Sequence, residues 1–328
     1  METARATNPA ELAVIVPYLL GFHPERSLVV LALEGKRLGL TQRMDLVPEE
    51  HARDVVRQMI GHVARSGAST IAALAFEREP GESDPMRAEL MSLVCSRVIR
   101  CVTSIVVRDG RWFDPDGVVP RSRPEGEPLP EPSRVPAVAV FVGEGRVPLP
   151  GRESLRELVA TGTSEVTEEV GSALDAIATE EVCVDPSPVR AWRTALAPGG
   201  ADDPEVVAEA LVALRDVIWR DALIAALCPG WMPDGLLADE PVEAARAAVT
   251  DLDPALALER LATLVHAAPR DEAAPVLTVL AQVAWSRGDG ALASIALEEA
   301  LAIEPGYRLA DLLDRLVSSG VRTPPAAA

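Results

Sequence analysis

The sequence is short of the features that usually announce an activity. Only one of its 31 basic residues, Lys36, is a lysine, and aromatics make up 3% of the 328 residues. A core with so few rings has to be assembled from Ala, Val and Leu, a composition that favours closely packed helices. The arginine and alanine bias matches the codon usage of a GC-rich genome and carries no functional message. Cysteine is scarce too. Cys95, Cys101, Cys183 and Cys228 form no CxxC pair and have no histidine at ligand spacing, so neither a zinc site nor a disulfide framework is signalled and reduced, mostly buried thiols are expected.

Other absences narrow the field further. No run reaches the roughly 18 uninterrupted apolar residues of a membrane helix, and Met1 to Pro9 lacks the apolar segment of a secretion signal, so a cytoplasmic protein is expected. There is no phosphate-cradling GxxxxGK(S/T), no GxGxxG after a strand, no HExxH and no GxSxG elbow. No cofactor and no metal site are expected. Positive charge is also in deficit. The net charge is -19, with 18 basic against 20 acidic side chains in residues 1–150 and 13 against 30 in residues 151–328. Affinity for nucleic acid rests on neutralising phosphates, so a chain this acidic without a basic stripe excludes DNA, RNA and anionic membrane surfaces as partners.

What is present divides the chain in two. Residues 1–150 interleave apolar strands with amphipathic helices, the pattern of an α/β domain with a mixed sheet. A helix over 8–21 starts at the Asn8-Pro9 cap, with Pro17 expected to interrupt or kink it. Ser27 to Leu33 is a strand covered on both faces, and Glu34-Gly35-Lys36 turns it into an alternating strand over 38–46. A helix over 48–66, a strand over 70–76, a helix from Asp84 to about Arg100 and a hairpin of 102–107 with 111–113 follow. A further strand is expected over 135–142. Residues 114–136 carry seven prolines, the composition of an extended, mobile surface loop.

Residues 151–328 read as an all-helical domain, with caps expected at Ser154, Ser164, Asp202-Asp203-Pro204 and Asp239-Glu240-Pro241. Residues 274–320 resemble a tetratricopeptide-like hairpin, with a Gly288-Asp289-Gly290 turn, small residues at Ala293 and Ala300, and Pro305 as a stop. Trp285, beside that turn, is expected in the core.

Candidate catalytic residues are few. His23 lies before Pro24 at a helix-to-strand junction, Ser27 begins the strand, and Arg43 and Asp45 sit at the facing end of the hairpin. If the turn folds over the hairpin, His23, Ser27, Arg43 and Asp45 converge into a hydrolase-like cluster. The plainer alternative is a structural turn, with His23 bonded to a backbone carbonyl and Arg43 paired to Asp45 on the sheet surface. Asp216 and Arg220, four apart in one helix, read as a surface ion pair. The acid pairs Glu168-Glu169 and Glu180-Glu181 read as solvated helix faces.

Taken together and in order, "VPYLLGFHPERSLVVLAL", "GLTQRMDL", "VRDGRW", "LVALRDVIWRDAL" and "AWSRGDGALASIALEEALAIEPGYRLADLLDRL" resemble the actinobacterial domain of unknown function 4192 family. The resemblance covers nearly the whole chain and implies no reaction, cofactor or catalytic residue. Members often carry a cysteine-containing segment after the stretch matching Arg111-Trp112. Here Phe113-Asp114-Pro115-Asp116 follows, so any metal or thiol role of that segment is lost. The expected function is a protein-interaction or small-ligand-binding module using the helical domain for association, with a protein partner or a second copy. The alternative is a hydrolase-like enzyme around His23.

Overall fold

The computed structural model describes residues 5–35, 37–96, 99–119, 123–143, 145–179, 187–233 and 235–319. Lys36, Cys183 and the Glu180-Glu181 pair lie outside the described residues. Those up to Arg152 form one compact unit, and those from Glu153 to Ser318 a second.

The first unit is a mixed α/β structure. Helix α1 (Pro9–Leu20) is capped by Asn8, whose side chain accepts the Glu11 N–H. Pro17 does not break it. An internal proline costs roughly 3 kcal/mol, and here the helix is retained by burying Val14, Ile15, Val16 and Leu20. Strands β1 (Ser27–Glu34) and β2 (Arg37–Asp45) form the expected antiparallel hairpin, with a register shift between Leu31 and Leu33. Gly39 sits at that irregularity because a Cβ there would come within 2.9 Å of the Ala32 carbonyl oxygen. Helix α2 (Glu49–Arg65), β3 (Thr70–Phe76), α3 (Asp84–Ser96), β4 (Arg100–Arg108), β5 (Arg111–Phe113), β6 (Glu127–Pro128) and α4 (Pro136–Gly143) complete the unit. The sheet order is β2-β1-β3-β4-β5-β6. Only β3 and β4 run parallel, which follows from their connection through α3.

Both faces of the sheet are covered, which explains why β1 reads as an unbroken apolar run. Leu28, Val30, Ala32, Ile71, Ala73 and Val106 pack under α2 and α3. The alternate residues Val29, Leu31, Leu74 and Ile105 are buried on the opposite face, where α1 packs on β4 and against α4. The segment is helical from Pro136 to Gly143, correcting the strand expected over 135–142. Ala137, Val138 and Phe141 are its buried residues, a three-to-four spacing that a valine-rich segment conceals, and Pro136 opens the helix as proline favours. Within the proline-rich stretch Glu127–Pro128 pairs with β5, so that stretch is not uniformly an open loop.

The second unit, among its described residues, contains helices and no strand. They are α5 (Arg152–Leu158, starting at the junction), α6 (Thr167–Ala178), α7 (Pro188–Ala195), α8 (Pro204–Ala213), α9 (Val217–Leu227), α10 (Asp239–Ala248), α11 (Ala257–Ala267), α12 (Ala274–Ser286), α13 (Gly290–Ile303) and α14 (Arg308–Ser318). Asp203 caps α8 as expected. Ser154 instead lies inside α5, and Ser164 stands ahead of α6. Asp216 is itself a cap, accepting the Ile218 and Trp219 N–H groups, so it is not the surface partner of Arg220. Arg220 is only 9% exposed and bonds Asp221 at 2.7 Å and the Tyr307 hydroxyl at 2.9 Å. Helix α12 is the centre of the unit. Every residue from Val276 to Trp285 is buried, with α9, α11, α13 and α14 packed around it. Trp285 meets Trp231 edge-on at 4.9 Å.

Candidate functional site

Of the four residues singled out from sequence, Ser27, Arg43 and Asp45 meet and His23 stands apart. Ser27 pairs opposite Asp45 in the hairpin register and is wholly buried. Its Oγ donates to the Glu25 carbonyl at 2.5 Å and accepts from Arg43 Nε at 2.8 Å. Arg43 reaches Asp45 at 2.6 Å and lies 5.8 Å from the Phe22 ring centroid. The His23 side chain is exposed, and among the described residues no hydrogen bond holds the imidazole. Its backbone N–H donates to the Leu149 carbonyl at 2.9 Å while the Leu149 N–H donates to Gly21, stitching the turn to the end of the unit. The Ser27 proton is therefore committed to a backbone carbonyl, with no base in contact to remove it.

A second polar group, not singled out from sequence, occupies the carboxyl ends of β3 and β4, where open α/β sheets commonly bind ligands. Glu77 follows β3 directly, and its side chain is 1% exposed. It accepts from Arg108 at 2.7 Å and from the Ser83 N–H and Oγ at 2.8 and 2.5 Å. Arg87 of α3 spreads its guanidinium over Ser83, Asp84 and Asp116, and Ser104 donates to Asp116 at 2.5 Å. Each buried charge has an opposite partner, so this group closes the sheet end on itself. The visible signal was a charged residue just past each apolar strand, Glu77 and Arg108. The segment without cysteine also acquires a role here: Asp116 holds Arg87 and Ser104, while Asp114 accepts the Val118 and Val119 N–H groups.

Thiolate formation is disfavoured at two of the three described cysteines, while Cys95 is exposed. Burial pushes Cys101 and Cys228 up to about 11, leaving little thiolate at neutral pH. Among the described residues no group of three His, Cys, Asp or Glu side chains is placed to hold a metal ion. Nor is any of their helices long and apolar enough to cross a membrane.

An open cleft of about 690 Å³ lies in the first unit, between the first turn of α1 and the edge made by β5, β6 and the residues after them. Its apolar walls include Pro9, Trp112, Pro128 and Pro130, and its charged residues are Glu11, Glu127, Glu131 and Arg134. Strand pairing sets Glu127 opposite Trp112. Gly126 makes this arrangement attainable: its φ is +73°, and a Cβ there would lie 2.5 Å from the Phe113 ring. Sequence reasoning marked the prolines as a loop and missed that they wall a cleft, because only the β5–β6 pairing brings them against Trp112. The second unit has a smaller hollow of about 110 Å³, lined by residues that include Ala195, Asp202 and Arg260.

No curated protein and no solved structure matches the chain. The family model described as domain of unknown function, DUF4192, matches residues 9–324. That span takes in the hairpin, the Trp112 cleft and the helical unit through α14, and the chain accordingly belongs to the DUF4192 family.

Proposed function

We propose that the chain is a cytoplasmic binding protein whose α/β unit receives a small ligand in the cleft beside Trp112. The observation that carries this reading is the cleft itself. At about 690 Å³ it falls within the roughly 300–1,000 Å³ of small-molecule sites, and it joins an indole and prolines to a few polar groups. Binding is favoured over hydrolysis at His23, Ser27, Arg43 and Asp45 because Ser27 is buried and bonded to the Glu25 carbonyl, away from the imidazole. The free thiols at Cys95, Cys101 and Cys228 suit a reducing compartment. The test is a thermal-shift screen of a fragment library on the full chain and on Val119→Trp, which fills the cleft. Binders should raise the wild-type melting temperature, by about 2.7 kcal/mol of added stability at a hundredfold excess over Kd, and lose their effect on the variant. Equal responses from both proteins would refute the reading.

The helical unit we take as an association module, with residues 274–318 as a tetratricopeptide-like hairpin. Support comes from the complete burial of Ala293 and Ala300 and from the break at Pro305 between α13 and α14. The adjacent Val217 and Ile218, each 56% exposed, are the favoured contact with a second copy. Light scattering should show a concentration-dependent mass for wild type and a monomer for V217E/I218E; a monomeric wild type counts against self-association.

A further inference from the structure

We propose that the Trp112 cleft selects a small organic cation, an amine or guanidine carried on an apolar or aromatic body; the inference rests on the cleft being a ligand site at all. Its charges are unequal, with Glu11, Glu127 and Glu131 set against Arg134. They are also poorly compensated from within. Glu127 is half-buried and Glu131 exposed, and among the described residues neither carboxylate has an ion-pair or hydrogen-bond partner. Glu11 uses one carboxylate oxygen, which accepts from the Thr7 N–H and hydroxyl at 2.7 and 2.8 Å. Among the described residues its other oxygen has no partner. The contrast within the same unit is sharp, because the more deeply set Glu77 and Asp116 are each matched by an arginine.

The chemistry of occupancy then separates the ligand classes. A neutral apolar ligand would strip water from Glu127 and return nothing, which is costly for a charged group. An anion would meet three carboxylates and gain only Arg134, which is exposed in the short turn Pro132–Arg134. A cation replaces the lost water with a charge-assisted bond to Glu127, an attraction stronger beside a half-buried carboxylate than in bulk water. Trp112 adds to this preference: it is 7% exposed and paired opposite Glu127, so a cation bound to the carboxylate comes near the indole, the aromatic surface that attracts cations most strongly. Pro128 and Pro130 leave apolar wall for the body of the ligand.

The test is titration calorimetry on the full chain at low salt with three probes of similar shape: benzylammonium, benzyl alcohol and benzoate. Benzylammonium is expected to bind at least about tenfold tighter than either of the others. Its affinity should fall about tenfold in Glu127→Gln and weaken as salt is raised. Perturbation of the Trp112 indole resonance, identified by its loss in Trp112→Phe, locates the site. If the alcohol binds as well as the amine and Glu127→Gln changes nothing, the cation preference is overturned while the binding reading stands. Tightest binding by benzoate overturns it in the same way. If none of the three probes binds and the fragment screen finds cleft binders, this inference alone fails; silence in both experiments removes the binding reading with it.

Discussion

Glu77 illustrates how much one side chain does at the sheet end. Truncating it leaves Arg108 without its partner and the Ser83 N–H without an acceptor, both in a largely dry setting. Glu77→Ala should therefore cost about 3 kcal/mol in urea denaturation, whereas an exposed carboxylate such as Glu131 should cost close to nothing. Little of this was legible beforehand. Ser27, Arg43 and Asp45 could be brought together from strand alternation alone, because the hairpin register is a local property. His23 could not be placed, since its position depends on a contact with Leu149, more than a hundred residues away in the chain. The pairings of Glu77 with Arg108 and of Arg87 with Asp116 were out of reach for the same reason: strands, a helix and a loop have to assemble before either forms.

At the level of elements, α2 is fastened to β2 by a link that responds to acid. Gln42 Nε2 donates to the Met59 carbonyl, so its Oε1 is left to accept from His62 Nδ1 at 3.0 Å. Burial, helped by Arg65, holds the His62 imidazole below its usual 6.5. Its neutral form is thus favoured by folding, and the unfolded chain binds more protons as pH drops beneath 6.5. Stability should fall between pH 7.5 and 5.5, and urea midpoints should show a smaller fall in His62→Gln. Helix α12 offers a change of opposite sign. Gln282 is 1% exposed, and among the described residues neither of its amide atoms meets a hydrogen-bond partner. Gln282→Met, similar in shape and without the polar amide, should raise stability by about 1 kcal/mol on chemical denaturation.

Elements were readable where period and caps agreed, as at Asn8, Asp203 and the β1–β2 hairpin. They failed where composition hid the period. In 135–142 valine and alanine occupy buried and exposed positions alike, so the apolar pattern did not separate a strand from α4, and only Pro136 pointed to a helix start.

For the whole molecule, the change from strands to helices near Arg152 is the organising fact, and the two compact units are expected to fold separately. Residues 1–152 and 153–318, expressed apart, should each give a cooperative thermal transition by circular dichroism; a first unit lacking one would show that its sheet depends on the helical half. The acidity confined to the second half belongs to this scale as well. It leaves the cleft-bearing unit nearly neutral, so the cation preference argued above reflects local carboxylates rather than the field of the chain.

The position of α12 has one more outcome. Its residues emerge from the ribosome only after α5 to α11 have been made, so α9 and α11 lack a packing partner until it arrives. A translation arrest before residue 286 should yield a sticky, protease-sensitive fragment that chaperones hold.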